Sequence, residues 1–221
     1  MKNLFKGVLL VSALFLSEET QAQIRLGIKA GINSSTNHVP NVESDVSVRS
    51  RIDFQGGVLV DIPMANSFSL QPALLVSTKG SKVNALLIDG NTGSVVSPIN
   101  NSIKLVYAEI PVLALFRRCI HQSFRFYGGV GPYVGIGLGG KIKSSYNPLA
   151  KDVVFGSGNV GSNSFRRFDY GASAAAGIEI NRLLIGVNYN YGLIDLGRAT
   201  SKSYNRTLGI TIGFWLDKAH L

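Results

Sequence analysis

Eight charged residues occupy alternate positions of segments whose intervening residues are mostly apolar or small, so their side chains can share one face. They are Arg25, Lys29, Asp53, Asp61, Glu109, Arg125, Asp169 and Glu179. Three cations and five carboxylates on a common face can form a network of ion pairs, or they can line a path for protons or ions. Because an unpaired buried charge is costly, we expect these residues to pair with one another in the interior of the protein.

The residue types that most often carry catalysis or bind metals are scarce in this chain. Cys119 is the single cysteine and therefore cannot form an intramolecular disulfide. The histidines, His38, His121 and His220, lack companions at the spacing of a metal site. The glycine-rich run 135–140 has no helix pattern after it, which a nucleotide-binding loop requires. We predict no catalytic residue, no metal, no cofactor and no enzymatic activity.

The charged residues lie in segments where apolar side chains recur at every second position, which is the period of a β-strand. Eight such segments predict an all-β fold, a transmembrane antiparallel up-and-down barrel of about eight strands. An eight-stranded barrel encloses a lumen that side chains can fill, and this is where we expect the charged network. The segments are 24–33, 52–61, 68–79, 103–116, 124–138, 168–180, 183–191 and 207–216.

The connections between these segments alternate in length. Long polar connections at 34–51, 80–102, 139–167 and 192–206 alternate with short ones at 62–67, 117–123 and 181–182. This alternation is typical of bacterial outer-membrane barrels, which have short periplasmic turns and long external loops. It predicts that both termini are periplasmic. Aromatic residues near segment ends, including Tyr191 and Trp215, predict girdles at the two membrane interfaces.

Residues 1–22 have the three parts of a secretory signal peptide. Lys2 and Lys6 supply the positive start, residues 7–16 form the apolar run, and Thr20 to Ala22 form a small-residue cleavage site. The apolar run is shorter than the twenty or so residues of a spanning helix. We therefore expect cleavage between Ala22 and Gln23, which leaves 23–221 as the barrel domain.

Composition limits the possible partners. The formal net charge is +9, with 22 Lys and Arg against 13 Asp and Glu, but the basic residues are scattered. A nucleic-acid-binding protein usually concentrates them in a patch or run, so we predict no nucleic-acid partner. The expected partners are outer-membrane lipid and proteins that meet the external loops or the periplasmic face, and we expect a monomer.

One strand resembles a known family. The stretch 107–113, Tyr-Ala-Glu-Ile-Pro-Val-Leu, is similar to the Tyr-x-Glu-Ile-Pro-Leu-Leu strand of PorT-like proteins, through Tyr107, Glu109, Ile110 and Pro111. Residues 27–33, 126–133, 168–171 and 177–179 are also similar to that family. The resemblance implies a small outer-membrane β-barrel, a group sometimes labelled porins, and it suggests an accessory role in protein secretion.

Three functions remain open at this point. The barrel is a structural or interaction protein with a closed lumen, a pore for small solutes, or a secretion accessory. Lumen filling separates the first from the second, because a pore needs small or water-lined interior positions from end to end.

Overall fold

The structure is a computed structural model of the chain. It describes residues 24–38, 46–88, 95–121, 123–145, 150–155, 164–195 and 204–216. Within these ranges no helix is long and apolar enough to span a membrane, a finding that does not bear on crossing by strands.

Eight long strands carry the fold, and three two-residue strands lie between the fifth and sixth of them. The long strands are β1 (Arg25–His38), β2 (Val46–Ala65), β3 (Phe68–Ile88), β4 (Val95–His121), β5 (Phe124–Ser144), β9 (Phe168–Ile180), β10 (Leu183–Gly192) and β11 (Tyr204–Trp215). The short ones are β6 (Lys151–Asp152), β7 (Val154–Phe155) and β8 (Ser164–Phe165).

The long strands form a closed antiparallel ring. Each pairs with its neighbour in the chain, β5 pairs with β9, and β1 pairs with both β2 and β11. Strand β6 is added to β5, whereas β7 and β8 pair with each other in parallel. The predicted all-β up-and-down barrel of about eight strands is confirmed. Closure leaves the ring without a free edge.

The two faces of the ring have inverted polarity. Along β11, Thr207 and Thr211 are buried, whereas the alternating residues Leu208, Ile210 and Ile212 are more than half exposed. The same inversion holds in β2, where Asp53 is buried and its neighbour Ile52 is 74% exposed. An apolar exterior around a polar interior is the arrangement of a barrel surrounded by lipid.

One end of the barrel carries tight turns, and we call it the turn end. Asn66 and Ser67 join β2 to β3, and Asn181 and Arg182 join β9 to β10. Asn181 has a φ of 54°, in the left-handed region that asparagine tolerates better than most residues. The short connections predicted at 62–67, 117–123 and 181–182 therefore lie at this end, but 62–65 and 117–121 belong to β2 and β4.

At the opposite, extended end, strands β2 to β5 continue well past the point where alternation of apolar residues stops. The prediction of loops throughout 34–51, 80–102 and 139–167 is wrong, since 34–38, 46–51 and 139–144 belong to β1, β2 and β5. Lys82 pairs with Ser102, and Lys104 pairs with Lys141. Backbone hydrogen bonds do not require alternation of apolar and polar side chains, so a strand can continue after it leaves the lipid.

Candidate functional site in the barrel lumen

The lumen at the turn end holds a group of five charged residues, the turn-end ion cluster. Arg25 Nη2 lies 2.9 Å from Asp61 Oδ2, and its Nη1 lies 2.6 Å from Glu179 Oε1. Arg117 Nη2 lies 2.8 Å from Asp61 Oδ1, and Arg125 Nη1 lies 3.4 Å from Glu179 Oε1. Both carboxylates are almost fully buried, so each depends on its guanidinium partners.

An apolar layer follows the turn-end ion cluster along the lumen. It consists of Leu59, Ala73, Leu75, Leu184 and Trp215, with Tyr127 packed against it. Trp215 is fully buried, and the Arg25 guanidinium lies 4.4 Å from its ring centroid. The expectation that Trp215 belongs to an interfacial girdle is therefore wrong. It shares the inward row of β11 with Gly213 and Thr211, and a large ring there fills space that Gly27 leaves beside it.

Uncharged polar side chains occupy the next layer. Gln55 Nε2 donates to Asn188 Oδ1 at 2.8 Å, and Asn33 Nδ2 donates to Ser77 Oγ at 3.2 Å. Gly209 lies among them, and a Cβ there would come within 2.8 Å of all three amide side chains. A void of about 20 Å³, bordered by Lys29 and Asn188 among others, has room for about one water molecule.

The central ion cluster lies further toward the extended end, and its cation is Lys79. The ammonium of this fully buried residue lies 2.5 Å from Glu109 Oε1 and 3.3 Å from Asp169 Oδ2. The Tyr133 hydroxyl and Asn205 Nδ2 donate to the same Asp169 oxygen at 3.3 Å and 2.9 Å. Two carboxylates thus share one ammonium and neutral donors, although Asp169 Oδ1 is buried without a hydrogen-bond partner.

A second apolar group lies at the extended end. Leu105, Tyr107, Val153 and Phe165 form a buried cluster, with Phe155 packed against it at 6.0 Å between the Tyr107 and Phe155 ring centroids. Gly137 makes room for the Phe155 ring, since a Cβ there would come within 2.6 Å of it. The short strands β7 and β8 thus bring apolar side chains onto the lumen residues of β4.

The structure brings together most of the residues singled out by their spacing. Arg25, Asp61, Arg125 and Glu179 lie in the turn-end ion cluster, and Glu109 and Asp169 in the central one. Asp53 pairs with Arg51 at 3.2 Å, near the extended end. Lys29 borders the void between the two ion clusters.

Two important cations were missing from the set chosen by spacing. Lys79 follows Ser77 on the inward row of β3, and Arg117 follows Leu115 on the inward row of β4. Both could have been found by extending the alternation, but Arg117 had been assigned to a short connection. Arg51 was missed for the same reason, because it lay in a predicted loop.

Several other expectations concern residues at the margins of the structure. The cleavage site at Ala22 and Gln23 and the residue His220 lie outside the described residues, as do the side chains of His38 and His121. Cys119 is exposed near the turn end of β4. Among the described residues, no group of three or more His, Cys, Asp or Glu could hold a metal ion.

The motif that resembles PorT-like proteins, in residues 107–113, places alternate side chains on opposite faces of β4. Tyr107 and Glu109 are buried in the lumen beside Lys79, whereas Ile110 is on the outward face and nearly half exposed. The motif therefore contributes a carboxylate and a ring to the central ion cluster and an apolar side chain to the exterior.

A closed antiparallel ring with an apolar exterior and ion pairs in its interior defines a membrane β-barrel. The family model of the outer membrane protein beta-barrel domain matches residues 18–198. The chain belongs to this family, which is located in the bacterial outer membrane.

Solved structures with a similar fold are outer-membrane proteins of low sequence identity. Ail of Yersinia pestis, solved in complex with the heparin analogue sucrose octasulfate, is 16% identical, with a TM-score of 0.39 over 86% of this chain and 99% of Ail. Neisserial surface protein A is 11% identical, with a TM-score of 0.45 over 86% and 96%. OprG of Pseudomonas aeruginosa is 13% identical, with a TM-score of 0.38 over 87% and 94%. A comparison with curated proteins gives no match.

Proposed function

We propose that this protein is a non-enzymatic outer-membrane barrel whose lumen is closed and which acts through its exposed surfaces. The observation that carries the proposal is the succession of buried layers along the lumen. Two ion clusters, a layer of amide side chains and two apolar groups follow one another from the turn end to the extended end. Long side chains that pair across the lumen exclude water, and the cost of an unpaired buried charge holds each of them in place.

The competing function is a pore for small solutes. A pore needs continuous water through the barrel, whereas the void beside Lys29 has room for about one water molecule. A liposome efflux assay separates the two functions. We expect liposomes that contain the folded protein to retain a trapped small sugar as well as protein-free liposomes do, and rapid release would favour the porin.

We also propose an orientation and a processing event. Cleavage after Ala22 leaves Gln23 as the first residue, and both termini and the turn end lie in the periplasm. The short turns and the long strand extensions support this orientation, because outer-membrane barrels have short periplasmic and long external connections. N-terminal sequencing of the purified protein should begin at Gln23, and retention of Met1 would contradict the cleavage.

The chain's own cysteine tests the orientation. Cys119 is exposed near the turn end, so a membrane-impermeant maleimide should not label it in intact cells. The variant Cys119→Ser with Ser145→Cys moves the thiol to an exposed position at the extended end, where labelling is expected. Labelling of Cys119 in the unaltered protein, without labelling of the Ser145→Cys variant, would show the opposite orientation.

The similarity of residues 107–113 to PorT-like proteins supports an accessory role in protein secretion. In that role the exposed surfaces of the barrel would bind other proteins of the secretion machinery. Deletion of the gene should then reduce export of other proteins while leaving the permeability of the outer membrane unchanged. Normal export in the deletion strain would contradict the secretion role but not the proposal of a closed lumen.

A further inference from the structure

The extended end carries a row of cations on the outward face of β3, β4 and β5. Lys82 lies opposite Ser102, Ser102 lies opposite Lys143, and Lys104 lies opposite Lys141. Side chains directly opposite one another in an antiparallel pair share a face, as do residues two apart in one strand. These four lysines therefore share a face, and all of them are exposed. We call them the lysine face.

The lysine face continues the lipid-facing surface of the barrel. On β4, Lys104 lies on the same alternating row as Val106 and Ile110. Val106 is the last apolar residue of this row before Lys104. On β5, the exposed Leu138 is three residues before Lys141, or about 10 Å along a strand. Cations at this distance beyond an apolar band lie at the level of lipid headgroups.

Charge and shape on this part of the surface both suit an anion. The extensions 81–88, 95–104 and 139–145 contain no Asp or Glu. A cavity of about 770 Å³ borders this face, and its lining includes Lys104, Lys141, Lys143 and Asp152 together with the lumen residues Arg51 and Val153. Arg51 is paired with Asp53 and Lys141 lies opposite Asp152, so the three lysines leave an excess of positive charge in a concave site large enough for a phosphorylated headgroup.

We propose that the lysine face and its cavity bind the phosphate groups of a phosphorylated glycolipid in the leaflet that surrounds the extended end. The lipid chains lie against the apolar band below, and Lys104 and Lys141 meet the phosphates. Which leaflet supplies the lipid rests on the orientation proposed above. The binding chemistry does not depend on it.

Native mass spectrometry of the detergent-solubilised protein tests the site, with bis-phosphorylated lipid A as the probe. We expect the double variant Lys104→Gln with Lys141→Gln to bind the lipid about 30-fold more weakly, from the contribution of two cations beside an anionic lipid surface. The matched control is Arg118→Gln with Arg182→Gln, which removes two cations near the turn end. It should bind within about twofold of the unaltered protein, since its cations lie outside the cavity.

Dephosphorylated lipid A and tripolyphosphate serve as two further probes. The first tests whether the phosphates are needed, and the second tests whether the ligand is a lipid or a soluble phosphate. Dephosphorylated lipid should bind as weakly to the unaltered protein as lipid A binds to the double variant. Equal binding with and without phosphates, or no loss in the double variant, would overturn the proposal. Tripolyphosphate that competes at the same concentration as lipid A would also overturn it in favour of a soluble ligand. Because the assay uses detergent, a reversed orientation found by thiol labelling would leave this result unaffected.

Discussion

Lys79 is the cation of the central ion cluster. Its ammonium is fully buried and is shared by Glu109 and Asp169. The rings of Tyr107 and Tyr133 face it at 5.6 Å and 4.8 Å from their centroids. Removing the cation leaves two buried carboxylates close together, which is less favourable than either the intact cluster or an apolar replacement of all three.

We predict that Lys79→Met destabilises the folded barrel by about 3 to 5 kcal/mol. The measurement is a urea titration of the protein in lipid vesicles. The control is Lys82→Met on the same strand, which removes an exposed cation and should change stability by less than about 0.5 kcal/mol. Similar effects of the two substitutions would show that Lys79 lacks the ion pairs described here.

Gly209 tests the packing of the amide layer. An added Cβ would lie 2.6 Å from Asn188 Oδ1 and from Asn33 Oδ1, so these side chains must move and lose hydrogen bonds. Gly209→Ala should destabilise the barrel by about 1 to 3 kcal/mol in the same titration. Gly139→Ala is the matched control, because a Cβ there meets no atom within 4 Å. An unchanged stability of Gly209→Ala would mean that the lumen at this level is wider than described.

Which charged residues lie inside could be predicted from sequence wherever alternation was clear on both sides of the residue. Glu109 lies in such a stretch, and it is buried. Which of the charged residues pair could not be predicted, since a pair across the lumen joins strands far apart in the chain. Arg25 and Glu179 lie 154 positions apart and meet only when the ring closes.

Strand β2 shows how register places side chains in lipid or lumen. Val58 is 43% exposed on the outward face, and it pairs with Ile28 of β1 and Leu74 of β3, both also exposed. The outward row near the middle of the apolar band is therefore continuous across three strands. A shift of one residue would place Val58 inside and the buried polar residues Gln55 and Asp61 in lipid.

Val58→Arg is therefore expected to destabilise the barrel by about 2 to 4 kcal/mol, the cost of a cation near the middle of the bilayer. The measurement is the free energy of folding into lipid vesicles. Ser50→Arg on the same strand serves as the control, since Ser50 is exposed beyond the apolar band and should tolerate the cation. Equal costs at the two positions would contradict the register of β2.

The strands themselves were predictable where lipid and lumen impose different chemistry on the two faces. Beyond the apolar band both faces meet water, and stretches such as 100–102, Asn-Asn-Ser, carry no alternation. Strand pairing persists there because β3, β4 and β5 offer hydrogen-bond partners to one another. Backbone pairing with a neighbouring strand leaves no side-chain pattern in the sequence of either strand, so the extensions could not be predicted.

The whole ring combines an apolar exterior with an interior that is filled at successive levels. Eight strands leave little more space than side chains need, and here those side chains are ion pairs, amides and apolar groups in alternating layers. Opening such a lumen would require several paired charges to separate at once. The central claim is therefore that the intact barrel does not conduct.

We predict a silent baseline at moderate voltage in single-channel recordings of the purified, unaltered protein in a planar bilayer, with folding verified by the shifted gel mobility of an unheated sample. The layers that block passage, above all the Lys79 cluster and the packing around Trp215, should keep ions out. Long-lived conductance steps of uniform size from the unaltered protein would contradict the closed lumen and establish a pore.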